Sequence, residues 1–162
     1  MLPAITEDAV WTYLQDVQDP EIPVVSVVDL GIVREVRVDG ERIEVDVSPT
    51  YSGCPATEVI EESILSRLQD EGFATVSINR VLSPPWTTDW ISAAGREKLR
   101  EYGIAPPVGS ASKRELLGRP KVHCPRCGAE ETSVVSEFGS TACKASYKCG
   151  ACLEPFEYFK CI

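Results

Sequence analysis

Apolar residues first recur at helical spacing. Ala9, Val10, Tyr13, Leu14 and Val17 share one face of the stretch from Thr6 to Val17, which opens on a capping hydroxyl followed by Glu7 and Asp8. The period then shortens to two. Ile43, Val45 and Val47 alternate with Glu44, Asp46 and Ser48, and this arm, Arg42 to Ser48, faces Gly31 to Val38 across Asp39-Gly40, a dipeptide suited to a two-residue hairpin turn. Helical spacing returns with Val59, Ile60, Ile64, Leu65 and Leu68, which predict a helix from Cys54-Pro55 to about Glu71, stopped by Gly72. Val76 and Ile78 predict a third strand that Pro84-Pro85 ends, and Trp90 to Tyr102 reads as a last helix closed by Gly103. The order α-β-β-α-β-α predicts a two-layer α/β (α+β) domain over residues 1–104.

The pattern changes after that. Residues 105–120 hold Pro106, Pro107, Gly109, Gly118 and Pro120 among small and basic residues, which predicts a linker with at most a short turn near Arg114 to Leu117. Residues 121–162 carry six of the seven cysteines and too little apolar surface for an ordinary core, so this segment needs a staple. A metal ion is the expected one.

Composition narrows the setting. With 43% hydrophobic and 25% charged residues in a chain of 162, and no apolar run near the roughly 20 residues that span a bilayer, a globular and non-membrane protein is expected. The start of the chain lacks a cationic stretch followed by an apolar one, so a cytoplasmic location is expected, and thiols kept reduced there suit metal binding or reactivity better than disulfides. The net charge of -9 is uneven: residues 1–104 hold 19 acids against 8 bases, and residues 105–162 hold 6 against 8. An acidic first part repels phosphates and the second lacks a dense basic footprint, which argues against nucleic acid as a partner. The oligomeric state, a homo-oligomer included, is left open.

The chemistry concentrates in cysteine. Cys124-Pro-Arg-Cys127-Gly and Cys149-Gly-Ala-Cys152 are two C-x-x-C knuckles with 21 residues between Cys127 and Cys149, and four thiolates suit tetrahedral zinc. Gly128 and Gly150 are placed where each chain must turn back so that amides can face the sulfurs. An iron-sulfur cluster on the same thiolates and a pair of redox dithiols are the rival readings. Cys143 and Cys161 stand outside the knuckles, either as thiols packed beside Phe156, Tyr158 and Phe159 or as extra ligands. His123 adjoins Cys124 too closely in sequence to share its ion.

Cys54 stands alone in the first domain. A helix N-terminus would lower its pKa, Glu58 in the same turn would oppose this, and a lone cysteine is also a common core residue. Its setting after a Ser-Gly turn, between a strand and a helix, places it at a sheet edge rather than inside. In the loop Asp19-Pro20-Glu21-Ile22-Pro23, two prolines enforce an extended or turning backbone, and Asp19 and Glu21 are expected to be exposed. One histidine in a separate domain builds no Ser/His/Asp triad, and neither a phosphate-cradling glycine loop nor a Glu-x-x-His pair occurs. The residues favour a binding protein over a catalyst.

Asp19-Pro20-Glu21-Ile22-Pro23, Asp29-Leu30-Gly31-Ile32, Thr50-Tyr51-Ser52-Gly53-Cys54-Pro55, Ser136-Glu137-Phe138-Gly139-Ser140-Thr141-Ala142-Cys143-Lys144 and Pro155-Phe156-Glu157-Tyr158-Phe159-Lys160-Cys161 together resemble the PaaD (PaaJ) subunit family of phenylacetyl-CoA epoxidase. The resemblance covers nearly the whole chain, and the first domain is similar to the iron-sulfur assembly domain of iron-sulfur targeting proteins. It implies an accessory, non-catalytic subunit in phenylacetate catabolism, where a multicomponent di-iron oxygenase epoxidises the ring with electrons from an iron-sulfur flavoprotein reductase. It also implies a reactive cysteine at Cys54 and an acidic loop at Asp19 and Glu21, with Asp29 and Thr50 near the same edge. Cys54 would bind iron or an iron-sulfur cluster transiently for the reductase or oxygenase, while a zinc ribbon docks the client. The alternative is a scaffold that holds oxygenase and reductase together without handling metal.

Overall fold

The computed structural model describes residues 4–51, 53–108 and 121–160, and the chain divides into two compact units, Met1–Trp86 and Thr87–Ile162. In the first unit, α1 (Glu7–Leu14) and α2 (Ala56–Asp70) pack with a three-stranded sheet of β1 (Val33–Asp39), β2 (Arg42–Val47) and β3 (Thr75–Arg80), in spatial order β1-β2-β3. β1 and β2 form the hairpin predicted at Asp39-Gly40, with Gly40 at φ 61°, and β2 and β3 run parallel around α2. Thr6 caps α1 by accepting from the Ala9 amide.

Period-two patterning sorts the two faces of this sheet. Ile43 and Val45 are fully buried, and Val36 nearly so, beneath Val10, Leu14, Ile60, Ile64 and Leu68 of the helices. The other face is polar. Arg37 lies opposite Glu44 and diagonal to Asp46, and its guanidinium grips Asp46 through two hydrogen bonds of 2.8 Å, holding that carboxylate below its ordinary pKa. Trp86 closes the unit by donating its indole N–H to the Leu30 carbonyl at 2.9 Å.

α1 is shorter than its apolar pattern. Beyond Leu14 the amides of Gln15, Asp16 and Val17 bond three residues back, to Thr12, Tyr13 and Leu14, and this tighter turn still delivers Val17 to the core. The first of the paired-proline loops is also less open than expected. Asp19 is buried, and its Oδ1 accepts from the amides of Glu21 and Ile22 at 2.8 Å each, while Glu21 is half-buried. The carboxylate caps its own loop instead of standing in solvent.

The second unit holds a short 3-10 turn (Thr88–Trp90), α3 (Ala93–Tyr102) and a sheet of β4 (Ile104–Ala105), β5 (Thr132–Ser136), β6 (Lys144–Cys149) and β7 (Pro155–Phe159), in spatial order β4-β7-β6-β5. Ser92 caps α3, and Gly103, at φ 94°, ends it in the left-handed conformation. The unit boundary therefore falls earlier than residue 104, so that α3 and β4 belong with the cysteine-rich segment. β4 pairs in parallel with β7, and the Val108 amide donates to the Tyr158 hydroxyl at 3.3 Å, so the first residues of the expected linker are built into the unit. The short turn expected near Arg114 to Leu117 lies outside the described residues, as do Ser52 and Cys161. Ala105, Val122, Phe156 and Tyr158 form a small core around Cys124 and Cys149, with the Tyr147 ring against both aromatic residues at centroid separations of 5.8 and 5.5 Å.

Candidate metal centre and thiol site

The two knuckles converge. The sulfurs of Cys124, Cys127, Cys149 and Cys152 all lie within 4.8 Å of one another, with Cys124 to Cys152 at 3.8 Å and Cys127 to Cys149 at 3.6 Å. A tetrahedron of sulfurs around zinc at about 2.3 Å has edges of about 3.8 Å, so this donor set fits the ion in chemistry and in size. Cys124 and Cys149 are buried at the core, whereas Cys127 and Cys152 are exposed.

Local backbone chemistry aims the sulfurs. In the first knuckle Gly128 adopts φ 77° and donates to the Cys124 carbonyl at 2.8 Å, and the Cys124 amide donates to the Ala129 carbonyl at 3.0 Å. The second knuckle solves the same turn differently. Its left-handed residue is Leu153, at φ 65°, not Gly150. Gly150 instead lets the chain approach β5: its amide donates to the Glu131 carbonyl at 2.6 Å, and a Cβ there would meet that oxygen at 3.0 Å.

Electrostatics divide the thiols. The Cys152 amide donates to the Cys149 sulfur at 3.4 Å and helps bring that thiol down to about 6, whereas Cys152, although the Glu154 amide favours its thiolate, is pushed up to about 12 by desolvation and by the neighbouring sulfurs. Such a cluster is poised to lose its protons to a cation. His123 is exposed, with Nδ1 3.5 Å from the Gly128 carbonyl, and the four-sulfur group does not include it.

Cys143 is buried at the foot of β6 with the Thr141 hydroxyl 3.1 Å from its sulfur, outside the metal group. Beside it lies a feature the sequence reading passed over. Lys144 is 3% exposed and meets Glu157 Oε1 at 3.7 Å, and Glu157 also accepts from the Ser140 amide at 2.9 Å and from the Ser140 hydroxyl. A Lys and a Glu on facing strands are a readable signal in the sequence, but only the register, Lys144 opposite Phe159 and Ser146 opposite Glu157, shows that they meet.

In the first unit, Cys54 precedes α2, whose N-cap is Pro55. It is half-buried, the Thr57 amide donates to its carbonyl at 3.2 Å, and the Thr50 hydroxyl donates to its sulfur at 3.8 Å. Thr50 and Cys54 are thus brought together in the turn between β2 and α2. Asp29, buried, accepts from the Ser26 amide at 3.1 Å while its own amide donates to the Ser26 hydroxyl, and the Asp19 amide donates to the Val25 carbonyl. Asp19, Glu21 and Asp29 therefore share one internally bonded loop.

These features define a protein of two parts, an iron-sulfur assembly type of α/β domain and a four-cysteine zinc ribbon. Residues 7–77 match the family described as iron-sulfur cluster assembly protein, and residues 109–160 match the PaaD zinc beta ribbon domain. Over 153 residues, covering 94% of this chain and 92% of the relative, the sequence is 50% identical to the D component of the "Putative 1,2-phenylacetyl-CoA epoxidase" of Escherichia coli strain K12. The chain belongs to this PaaD family of epoxidase components.

Other similarities concern the first unit. The chain is 36% identical over 78 residues to the Fe-S protein maturation auxiliary factor SufT of Staphylococcus aureus strain USA300, covering 46% of this chain and 85% of that protein. Among solved structures, a domain of unknown function from Bacillus anthracis (TM-score 0.54, 27% identity, 57% of this chain and 90% of that one) has the same fold. So does a conserved hypothetical protein from Thermotoga maritima (TM-score 0.52, 29% identity, 61% and 98%). No helix among the described residues is long and apolar enough to cross a membrane.

Proposed function

We propose that this protein is a non-catalytic maturation subunit of a multicomponent phenylacetyl-CoA epoxidase, acting in the cytoplasm, in which Cys54 takes up iron or an iron-sulfur cluster and passes it to the oxygenase or its reductase. The observation that carries this reading is the pairing of Cys54 with Thr50: a half-buried thiol in a turn, its sulfur facing a hydroxyl donor, within a domain of the assembly type. Glu21, half-exposed on the loop that the buried Asp19 and Asp29 hold in shape, offers a carboxylate for the same task. The ribbon, folded around zinc on Cys124, Cys127, Cys149 and Cys152, docks the client.

The test is Cys54→Ser in a reconstituted epoxidase system. Loss of iron or cluster content in the client, with a matching loss of turnover and with one zinc per chain retained, is the expected result. Full content and full turnover would overturn the delivery role.

A second reading, a scaffold that joins oxygenase and reductase, is favoured by large apolar side chains that the ribbon leaves in solvent, among them Val135 (68% exposed) and Phe138 (67% exposed). It predicts that Cys54→Ser leaves turnover intact while loss of the ribbon abolishes the complex on a sizing column.

A further inference from the structure

The two edges of the first unit's sheet are built differently. β1 carries a register shift between Val33 and Glu35, an irregularity that blunts an edge, whereas β3 pairs with β2 in unbroken register over all six positions from Thr75 to Arg80, with no bulge and no proline. Among the described residues, β3 has no strand on its other side.

The surface beside this edge is also unfinished. Val76 and Ile78 point to the same face as their partners on β2, Ile43 and Val45, which are fully buried, yet both remain partly exposed. They open instead onto a groove of about 420 Å³ between β3 and α2, which Leu65 also lines. The helix side of the groove is acidic, with Glu58, Glu61 and Glu62. Arg80 at the end of β3 ties down Glu61, with one hydrogen bond of 3.0 Å, while Glu58 and Glu62 are exposed and form no ion pair among the described residues.

We propose that this groove is a docking site for an extended segment of a partner protein in which apolar residues alternate with Lys or Arg. Such a segment adds a strand to the free edge of β3, so main-chain hydrogen bonds supply affinity. Its period of two turns one set of side chains to the α2 side, where Lys or Arg stems lie over Val76, Ile78 and Leu65 and their charged ends meet the helix carboxylates, and the other set to the opposite face of the sheet. The surplus of carboxylates over guanidinium in the groove selects for cationic side chains and against acidic ones. The inference does not depend on the role of Cys54.

The test uses the full-length, zinc-loaded chain labelled with ¹⁵N and an acetylated peptide alternating Lys and Val, with a Glu/Val peptide and a peptide carrying proline at every second position as controls. Binding of the Lys/Val peptide is expected to shift the amides of Thr75 to Arg80 and of Glu58 to Leu65 and to leave those of the ribbon unmoved. Affinity should fall by about tenfold in Glu58→Lys/Glu62→Lys and fall further as salt is raised, because the rim charges are exposed. The proline and Glu/Val peptides should not bind. Both substitutions lie on a solvent-facing helix surface, and Leu65→Ser supplies an independent probe of the groove floor that should weaken binding too. Equal binding of the Glu/Val or proline peptide, shifts centred elsewhere, or affinity unchanged in Glu58→Lys/Glu62→Lys would overturn the proposal. Groove shifts that grow with protein concentration in the absence of peptide would also overturn it, by showing that a second copy of this chain fills the edge.

Discussion

Gly139 lies so close to Glu157 that a Cβ at position 139 would run into the carboxylate. That approach lets Glu157 receive the Ser140 amide and hydroxyl and at the same time face the buried ammonium of Lys144. A loop, a strand and a buried charge are thus held by one side chain.

Glu157→Gln is expected to destabilise the ribbon by roughly 1–3 kcal/mol, because it leaves the Lys144 charge buried without its counter-ion. Lys144→Met in the same background should recover most of the loss, and Gly139→Ala should show part of it by displacing the carboxylate. Thermal unfolding of the zinc-loaded chain in a double-mutant cycle measures this. A cycle with no coupling between positions 144 and 157 would contradict it.

The knuckles predict opposite responses to glycine. Leu153 is 64% exposed and held at φ 65°, so Leu153→Gly removes left-handed strain and should stabilise the ribbon by about 1 kcal/mol. Gly150→Ala crowds the Glu131 carbonyl and should destabilise it by about 1 kcal/mol. Competition against a graded zinc chelator reads both, as tighter and weaker zinc retention.

The ribbon is expected to depend on its metal for folding. Its core is one small cluster that includes Cys124 and Cys149, so chelation or Cys149→Ser should erase the amide dispersion of residues 121–160 while that of β1 to β3 persists. Elemental analysis should give one zinc per chain. Protons compete with zinc for the four sulfurs, so zinc affinity should fall as pH is lowered, and a chelator competition series across pH reads this.

In the first unit, Asp46 carries the pH dependence. Its folded pKa is lowered by Arg37 from the ordinary 3.8, so its contribution is fully present above that value and is lost as pH falls through the lowered one. Asp46→Asn should therefore cost about 1 kcal/mol at neutral pH and close to nothing in strong acid. Urea unfolding followed by β2 amides in wild type and variant tests the sign. An equal cost at both extremes would refute it.

The elements of the first unit were legible because each is patterned at its own period: Ile43, Val45 and Val47 announce a strand, and Ile60, Ile64 and Leu68 a helix. The four converging cysteines were legible because their C-x-x-C spacing is that of a metal-binding knuckle. Less was readable where a polar side chain turns inward. Asp19 looks like an exposed acid in sequence, and only the folding-back of its loop gives its carboxylate two amides. Gly150 and Leu153 mislead for a related reason, since a glycine is expected wherever the backbone goes left-handed and here a leucine takes that place. The boundary between the units was hidden because β4 is only Ile104 and Ala105, too short to show a period, and its partner lies far along the chain.

That pairing has a consequence for heredity. The ribbon's recognisable signature starts at residue 109, yet Ala105 sits in the core beside Tyr158, and Ile104 and Ala105 cover one side of β7. A gene fusion that lifted the ribbon at its signature would carry off a sheet with β7 stripped of its neighbour and a gap beside the metal. An exchange that keeps this ribbon intact must take Ile104 and Ala105 along with it.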